Sequence, residues 1–272
     1  MQRITSRQNP IVAEYRAAAR GDVAETLLLD GTHLLAEAIE AGIRLRHVLV
    51  ASDAVEHSDV AAVLAHVASD TPTAIASAQV MDAVSPVRSS SPVVALGVRP
   101  IASQTQTAAA APIVVLCDVQ DPGNVGAILR VAEAAGAASI GVAGQTADPY
   151  GWKALRGSMG SALRLSIQQW PDAREAIAAV RHQGFRVVAT VPRDGQPLFE
   201  SPLAGAVALF IGGEGGGLDA DIVDQADVKV TIPMEPPVES LNASVAAAIV
   251  LYEARRQRTL ASSGVPVSAT VD

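Results

Sequence analysis

Hydrophobic and polar positions alternate between two periods along the chain. Short apolar runs closed by glycine or polar turns predict buried strands at residues 27–29, 47–50, 93–98, 113–117, 139–142, 165–167, 185–190, 207–211 and 228–232. Between them, apolar residues recur at helical spacing over 10–20, 33–41, 60–68, 125–135, 173–183 and 243–252, with a short further pattern starting at Gln79. Ile11, Tyr15 and Ala18 share one face of the first helix, and Val125, Ile128, Leu129 and Ala132 form the stripe of a later one. Gly42, Gly136 and Gly184 each follow such a stripe, where a residue in the left-handed conformation ends a helix. Strands alternating with helices predict an α/β fold: a small domain over 1–100, a flexible linker over 101–111, a second domain over 112–260 and a flexible tail over 261–272.

The polar positions that interrupt this pattern gather after predicted strands. The run 207–211 leads into Gly212, Gly213, Glu214, Gly215, Gly216 and Gly217, which reads either as a tight turn or as a loop that lets a ligand approach the main chain. No Lys-Ser/Thr follows, so it is not a phosphate-binding P-loop. The strand–GxGxxG–helix order of a dinucleotide site is also missing. The run 228–232 ends at Pro233, and either Ser240 or Asn242 can cap the helix that follows. After 113–117 comes a polar loop in which Asn124 reads most simply as a helix cap. Arg130 lies off the apolar stripe of that helix. Alone it reads as a solvated side chain, but it sits near a strand-end loop. Residues 152–160 give a polar, partly cationic loop and helix containing Lys153 and Arg156.

Composition narrows the partners. The net charge of −8 argues against a surface that binds polyanions everywhere. The 20 basic residues include only two lysines, and Arg3, Arg7, Arg16 and Arg20 outnumber Glu14 within the first 20 residues, so a local basic patch is the alternative to a solvated helix face. Cys117 is the one cysteine, and none of the five histidines has a partner at metal spacing; no metal is expected. No apolar run approaches about 18 residues, which excludes a membrane-spanning helix. The first ten residues lack the apolar stretch of a signal peptide, so the cytoplasm is the expected compartment.

Three segments taken together resemble the SpoU (TrmH-type) branch of the SPOUT RNA methyltransferases: Asp121-Pro122-Gly123-Asn124-Val125-Gly126-Ala127-Ile128-Leu129-Arg130, then Phe210 to Leu218, then Ile232-Pro233-Met234 with Glu239-Ser240-Leu241-Asn242. The segment from Lys153 to Gly160 is similar to a further stretch of that family. Residues 5–10 and 30–34 resemble the L30e-like RNA-binding module often fused to it, although Asp30 stands where the family usually has Glu. The resemblance implies an α/β domain with a C-terminal trefoil knot, a homodimer, and methyl transfer from S-adenosylmethionine to a ribose 2′-hydroxyl, in ribosomal RNA rather than transfer RNA. It implies Arg130, Asn124, Glu214, Ser240 and Asn242 as catalytic residues; on chemical grounds a charge-assisted pair with Glu214 is expected to orient Arg130. Gly212, Gly213, Ile232, Met234, Ser240 and Leu241 would bind the cofactor, and Arg3, Arg7, Arg16, Lys153 and Arg156 the RNA. Two alternatives stand beside it: an RNA-binding member that has lost catalysis, and a Rossmann-type enzyme acting on small molecules.

Overall fold

The structure, a computed structural model, describes residues 1–101 and 111–263. The expected linker lies outside the described residues apart from its two ends, as does the expected tail beyond Ser263. The chain divides into two compact units, one of residues 1–101 with 149–164, the other containing 111–148 and 165–263.

The first unit contains β1 (Gln2–Ile4), α1 (Pro10–Arg20), β2 (Thr26–Asp30), α2 (Thr32–Glu40), β3 (Leu45–Ala51), α3 (Ser58–Leu64), β4 (Thr73–Ala76), α4 (Ala78–Val84) and β5 (Val93–Val98). Its sheet runs β1-β4-β3-β5-β2, with β1, β4 and β3 parallel and β5 antiparallel to both neighbours. The first helix starts where the sequence dictates: the Asn9 side chain accepts the Ile11 N–H, Pro10 fits the first turn, and Gly21 closes it in the left-handed conformation. Tyr15 is fully buried, and its hydroxyl reaches the His47 and Val94 carbonyls at 3.1 and 3.3 Å, so the ring fills the core without stranding its polar end.

Residues 149–164 pack with this first unit although they follow the first strands of the second. They form α6 (Trp152–Ser158) and α7 (Ser161–Arg164), and α6 lies against β2. The buried Asp30 carboxylate accepts the Ser85 and Ser91 hydroxyls at 2.8 and 3.0 Å and meets the Arg156 guanidinium at 3.5 Å. Arg164 pairs with Glu37.

The second unit contains β6 (Ile113–Cys117), α5 (Pro122–Ala135), β7 (Ser139–Ala143), β8 (Ile167–Trp170), α8 (Ala173–His182), β9 (Arg186–Thr190), β10 (Gln196–Pro197), β11 (Val207–Gly212), α9 (Ala220–Gln225), β12 (Val228–Thr231) and α10 (Ala243–Ser262). Seven strands form one parallel sheet in the order β10-β12-β9-β11-β6-β7-β8. Strands buried on both faces carry continuous apolar runs, which is why 113–117 and 207–211 stand out in the sequence. Ile113, Val115, Cys117, Phe210 and Val187 pack with Ile177 and Val180 of α8 and Ile222 of α9.

The last helix continues ten residues past Tyr252, where the apolar pattern fades. It is polar there, and part of that polarity is turned inward. Glu253 and Gln257 are buried, and Gln257 donates to the Ser201 carbonyl at 2.9 Å while accepting the Leu203 N–H at 2.7 Å. The predicted end at Tyr252 therefore gives way to a helix held by side chain–to–backbone bonds that no periodicity displays. Arg258 donates to the Ala135 carbonyl at 2.7 Å, and Arg255 to that of Ala134, so α10 satisfies the free carbonyls at the end of α5.

Candidate functional site

The C-terminal ends of β9, β11 and β12 open into one cup, at the sheet end where parallel α/β folds hold ligands. Its volume is about 370 Å³, within the size range of small-molecule sites of ~300–1,000 Å³. Three loops wall it: Thr190-Val191-Pro192 after β9, Gly212 to Gly217 after β11, and Ile232 with Met234, Ser240, Leu241 and Asn242 before α10. Ala243 and Ala246 of α10 complete the wall. All six positions expected to hold a cofactor lie in this wall, as do Glu214, Ser240 and Asn242 of the expected catalytic set.

Glycine is required at two of these positions by close approach of backbone to backbone. A Cβ on Gly212 would lie 2.2 Å from the Gly217 carbonyl carbon, and one on Gly213 would lie 2.0 Å from the Asp118 carbonyl oxygen. The glycine-rich loop is thus folded on itself and pressed against the end of β6. Asp118 holds the left-handed conformation at φ 56°, and its carboxylate accepts the Gln145 N–H at 2.7 Å. One residue therefore ties together the loops after β6, β7 and β11. Asp118 carried no signal in the sequence beyond its place after a strand. Thr190, Val191 and Pro192 were also unmarked; only their place at the end of a parallel strand could have indicated them. The Thr190 hydroxyl donates to the Phe210 carbonyl at 3.0 Å, which pins that loop beside β11.

A polar relay leads out from the cup. Asn242 is the cap of α10: its Oδ1 accepts the Ser244 N–H at 2.9 Å, and its Nδ2 donates to Asn124 Oδ1 at 3.0 Å. The Asn124 Nδ2 donates in turn to the Glu214 carboxylate. Asn124 is not the cap of α5. Asp121 takes that role by accepting the Asn124 N–H at 2.9 Å, and Pro122 sits in the first turn. This moves the helix start three residues earlier than the apolar stripe predicts and frees the Asn124 side chain to join Asn242 to Glu214.

Arg130 lies on the exposed face of α5, outside the cup wall, and makes no hydrogen bond or ion pair among the described residues. The expected pairing of Glu214 with Arg130 is absent within the chain, since Asn124 occupies the carboxylate. The basic residues of the first unit are only partly free. Arg7 donates to the Gln79 carbonyl at 2.9 Å and Arg16 to that of Ala83 at 3.2 Å, which fastens α1 to α4. Arg3 is exposed on the edge strand β1, Arg156 faces Asp30, and the Lys153 ammonium sits 5.5 Å from the Trp152 ring centre. Among the described residues no group of His, Cys, Asp and Glu could hold a metal, and no helix is long and apolar enough to cross a membrane.

Known proteins match both the sequence and the geometry. The chain is 35% identical over 96% of its length, and 96% of the relative's, to an uncharacterized tRNA/rRNA methyltransferase of Synechocystis. It is 28% identical, over 94% of its length and all of the relative's, to the 23S rRNA 2′-O-methyltransferase RlmP of Bacillus subtilis. Its structure superposes on the SpoU methyltransferase AviRb of Streptomyces viridochromogenes, solved in complex with the cofactor AdoMet, with a TM-score of 0.84 at 27% identity, covering 93% of this chain and 99% of that one. The family model of the SpoU rRNA methylases matches residues 111–252, the span that builds the cup and its relay, and the chain belongs to that family.

Proposed function

We propose that this protein transfers a methyl group from S-adenosylmethionine to a ribose 2′-hydroxyl of ribosomal RNA, in the cytoplasm. The observation that carries this is the cup itself: a wall of glycines and main-chain groups with one ionisable side chain, Glu214, joined by Asn124 to the cap of α10. Such a wall suits an adenosine ligand without phosphates, for which backbone donors and acceptors are better partners than a cationic cradle. Gly212, Ile232 and Leu241 offer main-chain groups, Met234 and Ala246 apolar surface, and Gly213 the close approach that seats the loop against Asp118. When bound, the cofactor supplies an electrophilic methyl group.

The chain must then hold the ribose and accept the charge of the hydroxyl as its proton leaves. Glu214 and Ser240, both in the wall, are the groups we assign to orient that hydroxyl, and the bonds through Asn124 to Asn242 hold the Glu214 carboxylate. A guanidinium is a fork of hydrogen-bond donors with no acceptor, so the part of Arg130 is to stabilise the developing alkoxide or grip the adjacent phosphate. Its free, exposed position on α5 suits a group that completes the site across a homodimer interface. Val245 and Tyr252, two turns apart on α10 and 47% and 52% exposed, support such an interface beside α5. A C-terminal knot is the topology we assign to the chain between β12 and α10, which shares the cup with the loops after β9 and β11. The first unit, an L30e-like module by its sequence, serves to bind RNA through Arg3, Arg7, Arg16, Lys153 and Arg156.

The test is methyl transfer from labelled S-adenosylmethionine to ribosomal and transfer RNA prepared from cells lacking the protein, with the product digested to nucleosides. Label in 2′-O-methylribose of ribosomal RNA is expected, falling by at least ~100-fold with Arg130→Ala. Label in a base, in transfer RNA only, or in no RNA refutes the proposal.

A further inference from the structure

The cup wall contains no cation. Its one charged side chain, Glu214, is bonded to Asn124, yet the ligand it suits ends in an amino acid bearing both a carboxylate and an ammonium group. Charged residues adjacent in the chain to wall positions are Arg193, Lys229, Glu235 and Glu239. Lys229 alternates away from the wall residue Val230 along β12 and pairs with Asp224 at 2.9 Å. Arg193 is the cation that remains. It follows the wall residue Pro192, and its Nη2 lies 3.5 Å from Oε1 of Glu239, which precedes the wall residue Ser240.

The loop that carries Arg193 is fixed at both ends. Thr190 donates to the Phe210 carbonyl at 3.0 Å, and the Gly195 N–H donates to Thr231 Oγ1 at 3.0 Å, with Asp194 between them in the left-handed conformation. The two charged side chains are 66% and 81% exposed, so their mutual attraction is weak and screened, and little is lost when a ligand comes between them. A zwitterion presents to this pair the charges each partner already seeks.

We propose that Arg193 and Glu239 form the recognition pair for the amino-acid end of the methyl donor, Arg193 holding its carboxylate and Glu239 its ammonium group. This rests on the cup being the S-adenosylmethionine site. It adds a specificity element that separates whole cofactor and its demethylated product from adenosine thioethers lacking the amino acid.

Calorimetric titration with S-adenosylhomocysteine and with 5′-methylthioadenosine, which has no carboxylate or ammonium, tests it directly. R193Q and E239Q are each expected to weaken S-adenosylhomocysteine about ten-fold while leaving methylthioadenosine within about two-fold of wild type. The double exchange R193E with E239R restores attraction between the loops but reverses the charges facing the ligand, and is expected not to rescue. Equal weakening of both ligands, no weakening of either, or full rescue by the exchange overturns the proposal, since each assigns the pair to loop closure or to nothing. A wild-type protein that binds neither ligand overturns the cofactor site itself, and a wild type that binds both equally overturns only the recognition pair.

Discussion

Replacing Gly213 by alanine places a methyl group 2.0 Å from the Asp118 carbonyl oxygen and 2.8 Å from its carbon. Real Cβ contacts essentially never fall below 3.0 Å, so the gap must open by about 1 Å. Both sides are backbone, and neither can yield by rotating a side chain. Asp118 is held by the Gln145 N–H at 2.7 Å and by its place at the end of a central strand, so the glycine-rich loop must move instead. Forcing an extra methyl group into a packed site costs about 1–3 kcal/mol. In a protein of this size that is a Tm drop of roughly 3–10 °C. The same movement displaces a cup wall, so S-adenosylhomocysteine affinity is expected to fall at least ~10-fold. Gly216 is the internal control for packing: a Cβ there meets nothing within 4 Å, and Gly216→Ala is expected to leave Tm at the wild-type value. Differential scanning calorimetry and isothermal titration measure both quantities on both variants. A Gly213→Ala protein with wild-type Tm and affinity would falsify the packing argument, as would an equal drop in Tm from Gly216→Ala.

Other outcomes follow from the same geometry. Asn124→Ala removes the bond from Asn242 and releases Glu214; methyl transfer is expected to fall ~100-fold while S-adenosylhomocysteine affinity, measured by calorimetry, stays within about two-fold, because Asn124 is outside the cup wall. The Cys117 thiol, buried at the end of β6, has its pKa pushed up to about 12 by burial first and by the nearby Asp118 and Asp219 charges, so it should resist a thiol reagent at pH 8 in the folded protein and react fully in denaturant. Burial lowers the pKa of half-buried His47 against the opposing pull of Glu14. The unfolded chain then takes up that proton first: the contribution of His47 is intact above about pH 6.5 and is lost as pH falls toward the folded value. Urea denaturation of His47→Gln between pH 7 and 5 is expected to show a shallower acid decline than wild type, and an unchanged slope would assign the decline to other groups.

Local physics made much of the chain legible in advance. The first helix, capped by Asn9 and closed by Gly21, and the strands at 93–98 and 113–117 appear where their apolar runs and turn residues put them, because each depends on neighbours within a few positions. The six wall positions named from the resemblance line one cup, because their loops follow strands whose ends a parallel sheet gathers at one edge. Sequence also marked the glycine-rich loop after 207–211 as a place where a ligand could approach the main chain, and that loop walls the cup. Only the tertiary structure decided what depends on residues far apart in the chain. It made Asp121 the cap and freed Asn124 to reach Glu214 and Asn242, which lie 90 and 118 residues away. It buried Gln257 against residues 201–203 and so extended the last helix. It set residues 149–164 beside Asp30, and it brought Arg193 to Glu239. The reason is the same in each case: the partner of a polar side chain is chosen by the packing of distant strands, and hydrophobic periodicity carries no record of it.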